Sequence, residues 1–194
     1  VFGPIAETIR TQRLVLEPLA VHHADEMAVV LDDPRLHRFI GGEPLSADEL
    51  RARYEHLVAG PAPFHQEVWL NWVVRRARDG QAVGYVQATV TPAQPGFTVA
   101  AAAEGSTVTP SPPRTIASVA WVIGMPYQGF GFATEAARAL VDWLLAHGAG
   151  DIVAAIHPDN LASAAVAGKL GLRPTAETAD DETVWRLPRG EAAP

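Results

Sequence analysis

Residues 121–135 read WVIGMPYQGFGFATE, and the reading of the chain grows from this stretch. The apolar run from Val119 to Ile123 predicts a strand, broken at Gly124-Met125-Pro126, and a helix is predicted from about Thr134. Between them lies Gln128-Gly129-Phe130-Gly131-Phe132-Ala133-Thr134. Amides in such a turn and in the first helical turn have no partner inside the helix, and the helix dipole adds partial positive charge. Gly129 and Gly131 permit positive φ and close approach of a ligand to the backbone. These features describe a phosphate cradle that needs no lysine. A tight turn that uses glycine for its conformation alone is the other reading. Two better-known phosphate loops do not fit. The nucleotide-triphosphate loop requires Gly-Lys-Ser/Thr. The dinucleotide fingerprint requires a small residue three positions after its second glycine, where Thr134 stands, and belongs to the first strand of a βαβ unit.

Downstream, the helix is expected over Thr134–His147 and closed by Gly148, with Ala136, Leu140, Leu144 and Ala137, Val141, Leu145 at i, i+4 spacing. A strand over DIVAAIH (151–157) follows, then a helix from about Asn160 to Leu170 closed by Gly171. A strand pair is expected near Leu172–Thr175 and Glu182–Leu187, and a disordered tail over 188–194. Upstream, RLVLEPL (13–19) reads as a first strand, and a helix is expected from His22 to Leu31, stopping near Asp33-Pro34. Ser46-Ala47-Asp48-Glu49 is a capping box that opens a helix to about Ala59, ended by Gly60-Pro61. EVWLNWVVRRA (67–77) and AVGYVQATVT (82–91), joined by Arg78-Asp79-Gly80-Gln81, read as a hairpin. The next strand, TIASVAWVIG (115–124), comes only after a proline- and glycine-rich loop insert at about 92–114. The expected architecture is one α+β domain over 1–194: an antiparallel meander, then a β-α-β-α-β portion with at least one parallel pairing.

Composition narrows the function. With 194 residues, 48% hydrophobic and 19% charged, the chain can bury a good core. The absence of cysteine excludes disulfides, thiolate metal sites and a cysteine nucleophile. A net charge of −7 argues against nucleic acid as a partner and mildly favours a cationic acceptor such as an amine. His22-His23 is not a metal pair, because adjacent helical residues do not face one another, and no metal is expected. No apolar run reaches the length of a membrane span, so no membrane association is expected. The start, VFGPIAETIR, lacks the layout of a signal peptide, so a cytoplasmic location is the expectation.

The loop Gln128-Gly129-Phe130-Gly131-Phe132-Ala133 resembles the Gln/Arg-x-x-Gly-x-Gly/Ala loop of the GNAT superfamily of acyl-CoA-dependent N-acyltransferases. Thr134-Glu135-Ala136 looks like the RimJ/RimL-type branch, and so does Asn160-Leu161-Ala162-Ser163 followed by Lys169-Leu170-Gly171-Leu172. TQRLVLEPL is similar to the first strand of that branch, so the resemblance covers roughly Arg10 to Leu187, interrupted by the insert. It implies a GNAT fold: a mixed, mostly antiparallel sheet with a splayed parallel pair and helices on both faces. It also implies an N-acetyltransferase that moves an acetyl group from acetyl-CoA, its acyl-donor co-substrate, to a primary amine by direct transfer. Members of the family often pair, so a homodimer is among the assemblies the resemblance allows.

In the family the loop amides hold the pyrophosphate of coenzyme A, which assigns cofactor binding here to Gln128, Gly129, Phe130, Gly131, Phe132, Ala133 and Thr134. By the same resemblance Val122 and Ile123 meet the pantetheine arm through main-chain atoms, one amide polarising the thioester carbonyl. Asn160 sits where the family's asparagine contacts that arm; a helix N-cap is its alternative role. Ser163 matches the position proposed to donate a proton or hydrogen bond to the leaving thiolate, with a local backbone bond as its alternative. One position departs from the pattern: many relatives carry a glutamate in the strand before the glycine loop, where this chain has Ser118, a poor base without a partner. His157, Glu104 and His37 are candidate substitutes, and none is assigned. Among five tryptophans, Trp69 shares a strand face with Asn71, and Trp72 takes the other. The acceptor is open between a protein N-terminus, an amino acid, a polyamine and an amine-bearing antibiotic. Two rival classes stand beside this reading: an acyl-CoA-binding module without turnover, favoured by Ser118, and a nucleotide-binding enzyme.

Overall fold

A single mixed sheet organises the chain, in a computed structural model that describes residues 3–62, 64–93 and 114–188. The insert expected over 92–114, including Glu104, lies outside the described residues except at its ends, and so does the expected tail beyond residue 188. The eight strands are β1 (Ile9–Arg10), β2 (Leu14–Pro18), β3 (Val68–Arg76), β4 (Ala82–Pro92), β5 (Thr115–Ile123), β6 (Asp151–Ile156), β7 (Arg173–Ala179) and β8 (Glu182–Arg186). Their order in the sheet is β1-β2-β3-β4-β5-β6-β8-β7. All neighbours are antiparallel except β5 and β6. The architecture is the expected α+β one, with its antiparallel meander and one parallel pair.

The parallel pair is short. Ile116 pairs with Asp151, Ala117 with Ile152 and Ser118 with Val153, and there the pairing stops. Beyond it β5 stays on β4 as far as Ile123, while β6 turns to β8 over Val153–Ile156. The two strands therefore diverge toward their C-terminal ends and leave a wedge between them.

Helices cover both faces, and the period-2 alternation of β3 shows which residues meet which helix. Leu70, Trp72 and Val74 join a large core with Ala136, Leu140 and Leu144 of α4 (Phe132–Ala146) and with Ala167 and Leu170 of α5 (Leu161–Leu170). Val73 faces the other way, into a smaller core with Met27 of α1 (Ala24–Val30) and Leu50 and Tyr54 of α3 (Ala47–Ala59). Among the described residues no helix is long and apolar enough to cross a membrane.

Three local features depart from the sequence reading. Asp33-Pro34 was expected only to stop a helix; it also starts one, α2 (Pro34–Ile40). Asp33 accepts the Arg35 N–H at 2.9 Å, and proline suits the first helical position because its missing N–H has no partner there anyway. Val21–His23 is a 3-10 turn rather than the first turn of α1. Strand β7 runs to Ala179, four residues past its expected end, because Asp180 and Asp181 adopt positive φ (49° and 67°) and close a tight hairpin with β8. The capping box forms as expected: Ser46 Oγ accepts the Glu49 N–H at 3.3 Å, and Glu49 accepts the Ser46 N–H at 2.9 Å.

Gly84 faces Ile123 across β4 and β5, beside the wedge. A Cβ built at Gly84 falls 2.1 Å from the Val122 carbonyl oxygen and 2.9 Å from Ile123 Cα. Because both contacts are backbone, Gly84→Ala must push the strands apart, and overpacking of this kind costs about 1–3 kcal/mol. The expected result is a melting temperature lower by roughly 2–12 °C for a domain of this size. An unchanged melting curve would show that this part of the ladder yields freely.

Candidate active site

The glycine turn after β5 leaves a row of backbone donors unused. Helix α4 makes its first backbone bond from the Glu135 N–H to the Gly131 carbonyl at 3.1 Å. From Gly129 through Thr134 no amide finds a backbone acceptor among the described residues. Gly129 and Gly131 hold φ of 82° and 81°, the left-handed region that glycine permits. A Cβ at Gly129 would meet nothing within 4 Å, and one at Gly131 only Arg13 Nη2 at 3.5 Å, so both glycines border open space. Consecutive amides at a helix N-terminus, bordering open space, suit a diphosphate in both charge and room.

The turn is braced from a distance. Arg13, at the start of β2, donates from Nη1 to the Phe130 carbonyl at 3.0 Å and from Nε to Glu135 at 2.7 Å. Thr11 Oγ1 and the Arg13 N–H also donate to Glu135, at 2.6 and 2.9 Å. Partial burial alone would raise the Glu135 pKa, but these bonds and the Arg13 charge outweigh it and hold the carboxyl below its usual range. Thr11, Arg13 and Glu135 thus form one clamp that fixes the loop's position.

A groove runs from this turn into the wedge. Its lining includes every residue assigned to the site from sequence except Phe130: Val122, Ile123, Gln128, Gly129, Gly131, Phe132, Ala133, Thr134, Asn160 and Ser163. Phe130 contributes its amide to the unused row, while its ring is 62% exposed. The ring of Phe132 belongs to the core. Gln128 reaches back with Nε2 to the Ile123 carbonyl at 2.8 Å, which ties the loop to the strand end. The Gly124 N–H bonds Val83 across to β4. Alternation then sends the Val122 main chain toward β4 and the main-chain groups of Trp121 and Ile123 into the wedge. Trp121 is thus a groove residue that the sequence reading counted only among the five tryptophans; the pairing of β5 with β4 sets the direction of its main chain.

Asn160 and Ser163 stand at the wedge's other wall. Asn160 Oδ1 accepts the Ser163 N–H at 3.1 Å, so Asn160 is the N-cap of α5 as well as a groove residue. The Ser163 hydroxyl, half-buried, has no hydrogen-bond partner among the described residues and lines both the groove and the opening beyond it.

That opening lies on the opposite face of the sheet, where Asn71 of β3, Tyr85 and Gln87 of β4 and Ser118, Ala120 and Val122 of β5 form a floor of alternating positions. Trp69 shares this face and Trp72 lies fully buried on the other, as expected. Ser118 is exposed and offers no carboxylate. Of the candidate bases, His157 does line the opening, but its Nδ1 accepts the Asp159 N–H at 3.1 Å. That bond uses the free lone pair and leaves Nε2 as a donor. Both ring nitrogens of His37 face backbone carbonyls, of Gly41 and Leu31, so the ring ties α2 to the end of α1. A carboxylate the sequence did not single out, Glu182 at the start of β8, lines the opening. Nothing in its local sequence separates it from a surface glutamate; only the β6-β8 register brings it there.

Away from the groove, Glu17, His22 and His23 bring potential ligand atoms within 4.8 Å of one another. The two imidazole rings sit 4.2 Å apart, against the expectation that adjacent positions diverge, because they belong to the 3-10 turn. His23 Nδ1 accepts the Ala20 N–H at 3.1 Å, so the neutral ring carries its proton on Nε2, and Arg75 occupies Glu17. With the free lone pair of His23 used by the Ala20 N–H and Glu17 held by Arg75, the trio is a structural junction between β2, β3 and α1.

Comparison with known proteins gives a consistent picture. Residues 13–173 match the family model described as the acetyltransferase (GNAT) domain. No curated protein matches the chain significantly. Among solved structures, an acetyltransferase from Agrobacterium tumefaciens str. C58 superposes with a TM-score of 0.66 at 23% identity, covering 97% of this chain and 98% of that one. RimL, a ribosomal L7/L12 alpha-N-protein acetyltransferase in complex with coenzyme A, gives 0.65 at 15% identity, with 93% and 97% covered. An aminoglycoside acetyltransferase, also in complex with coenzyme A, gives 0.63 at 17%, with 89% and 92% covered. At these identities the structural likeness is one of fold.

Proposed function

Because the chain belongs to the acetyltransferase (GNAT) domain family, we propose that it transfers an acetyl group from acetyl-CoA directly to a primary amine, as an enzyme of the RimJ/RimL type. The single observation that carries this reading is the groove that joins the unused amides of Gly129–Thr134 to the wedge between β5 and β6. In this reading the loop amides take the diphosphate, and the wedge-facing main chain of Trp121 and Ile123 pairs with the pantetheine arm. The thioester lies beside Ser163, where the groove and the opening meet.

Direct transfer then follows from access. The amine enters from the floor side, and its lone pair attacks the thioester carbonyl carbon. The carbon–sulfur bond breaks, the thiolate takes a proton from Ser163 Oγ, and the serine regains one from water. The amine's surplus proton leaves through the water-accessible opening lined by His157 and Glu182. No covalent acyl-enzyme is needed, and the cysteine-free sequence offers no thiol to form one.

Thermal melting with acetyl-CoA, beside NAD and ATP, tests the cradle first. At about 100 times Kd a ligand stabilises the fold by about 2.7 kcal/mol, a rise of roughly 5–10 °C for a domain of this size. A rise with acetyl-CoA alone, followed by free-thiol release on adding an amine, is the expected result. A rise without thiol release from any amine would leave a binding module, which the exposed Ser118 favours. A rise with NAD or ATP instead would overturn the assignment of the loop.

A further inference from the structure

On the floor side, a second cavity opens off the wedge, and its walls carry information about the acceptor. It lies between the sheet and helices α2 and α3 and has a volume of about 160 Å³. Leu19, Leu31, Leu45, Leu50 and Leu57 supply its apolar wall, and His37, Asn71 and Gln87 add polar groups. An apolar cavity of about 150 Å³ holds one benzene ring, so this one takes a phenyl ring or a leucine-sized side chain. Ile40, Arg53, Tyr85 and Gln87 line both this cavity and the opening at the wedge, so the two are adjacent.

Arg53 is the informative one. Leu50, Arg53, Tyr54 and Leu57 stand at i, i+3, i+4 and i+7 on α3; Leu50 and Tyr54 are buried, and Arg53 is exposed at the edge of this stripe. Three of the four are apolar or aromatic; the other is a guanidinium, and it makes no ion pair with a described residue. A cation at the mouth between cavity and wedge repels a second ammonium and attracts an anion. Glu43 lines the cavity and Glu182 the opening, but neither is among the residues the two share, so Arg53 is the charged residue at the junction itself.

We propose that the acceptor is a free α-amino acid with a large apolar side chain, held with its carboxylate on Arg53 and its side chain in the leucine-walled cavity. Amine, carboxylate and side chain branch from one carbon, and the three features they meet converge at one junction: the wedge, the guanidinium and the cavity. A polyamine or an aminoglycoside spreads several ammonium groups, and Arg53 opposes them at the mouth. The inference rests on the acetyl-transfer reading given above.

The test measures acetyl transfer by thiol release with L-phenylalanine, L-leucine, L-phenylalaninamide, 1,5-diaminopentane, spermidine and kanamycin, for the wild type and for Arg53→Ala and Arg53→Lys. A charged hydrogen-bonded contact sets the scale of discrimination at about ten- to hundredfold. The free amino acids are expected to exceed the amide and the polyamines in kcat/KM by that factor. Arg53→Ala is expected to raise KM for L-phenylalanine by the same factor, to remove most of the preference for the acid over the amide, to leave the acetyl-CoA Kd unchanged, and to be partly rescued by Arg53→Lys. Arg53 is solvent-exposed on α3, so its truncation leaves the core intact. Faster transfer to spermidine, the diamine or kanamycin overturns this inference and leaves the transferase reading standing. Equal rates for acid and amide, or an Arg53→Ala variant that keeps the wild-type preference, do the same. No transfer to any amine by a protein that binds acetyl-CoA overturns both.

Discussion

Gly131→Glu is expected to abolish acetyl-CoA binding while leaving the protein folded. Gly131 is the N-cap of α4 and sits at φ 81°, ψ 8°, in the left-handed region. A side chain there costs about 1–2 kcal/mol of backbone strain. Space is not the obstacle, since the nearest atom to a built Cβ is Arg13 Nη2 at 3.5 Å. Charge is. A carboxylate at this position can turn onto the free amides of the loop and onto Arg13, so it fills the anion site from within. A diphosphate arriving from solvent then meets an occupied donor row and a like charge. Juxtaposed like charges at an interface cost several kcal/mol, which corresponds to roughly a hundredfold or greater loss of affinity. Melting with acetyl-CoA, against apo controls, reads both halves of the prediction: a modest drop for the unliganded variant and no shift on adding ligand. Gly131→Ala carries the strain without the charge and is expected to retain most of the affinity. Wild-type affinity in Gly131→Glu would place the diphosphate away from this turn.

The order and type of most elements were legible in the sequence because local chemistry dictates them. Asp79-Gly80 between two β-rich runs gives the β3-β4 hairpin, Ser46 and Glu49 cap α3, and Gly129 and Gly131 take the positive φ that only glycine adopts at little cost. What stayed hidden depends on two signals in one place or on register. Pro34 carries both a stop and a start, and only the stop was read. Trp121 reads as core from its apolar neighbours, and only the direction of its main chain, set by pairing with β4, aims it into the wedge. Glu182 and Arg53 are ordinary charged residues until the β6-β8 register and the packing of α3 bring them to the opening. The glycine turn is a local motif; the opening beyond the wedge is assembled from distant segments, and sequence spacing alone does not encode it.

Ser163→Ala is expected to lower kcat by about a hundredfold while acetyl-CoA affinity stays within a few fold. General-acid assistance contributes typically 10²–10⁴-fold, and the low end applies because a thiol with a pKa of about 8.5 is already a moderate leaving group. The structure separates this role from a structural one. The cap of α5 uses the Ser163 N–H, which alanine keeps, and the Asn160 side chain, which the substitution does not touch. The hydroxyl itself has no partner among the described residues, so its removal leaves no group unsatisfied and costs little stability. Asn160→Ala is the complementary control: losing the cap costs about 1 kcal/mol of stability. If Ser163 only supported the helix, its substitution would lower the melting temperature as Asn160→Ala does and leave turnover intact. A serine that protonates the leaving sulfur gives the reverse pattern: full stability, ordinary acetyl-CoA affinity and slow transfer. Wild-type kcat in Ser163→Ala would remove the serine from the chemistry and leave the thiolate to be protonated by water in the wedge.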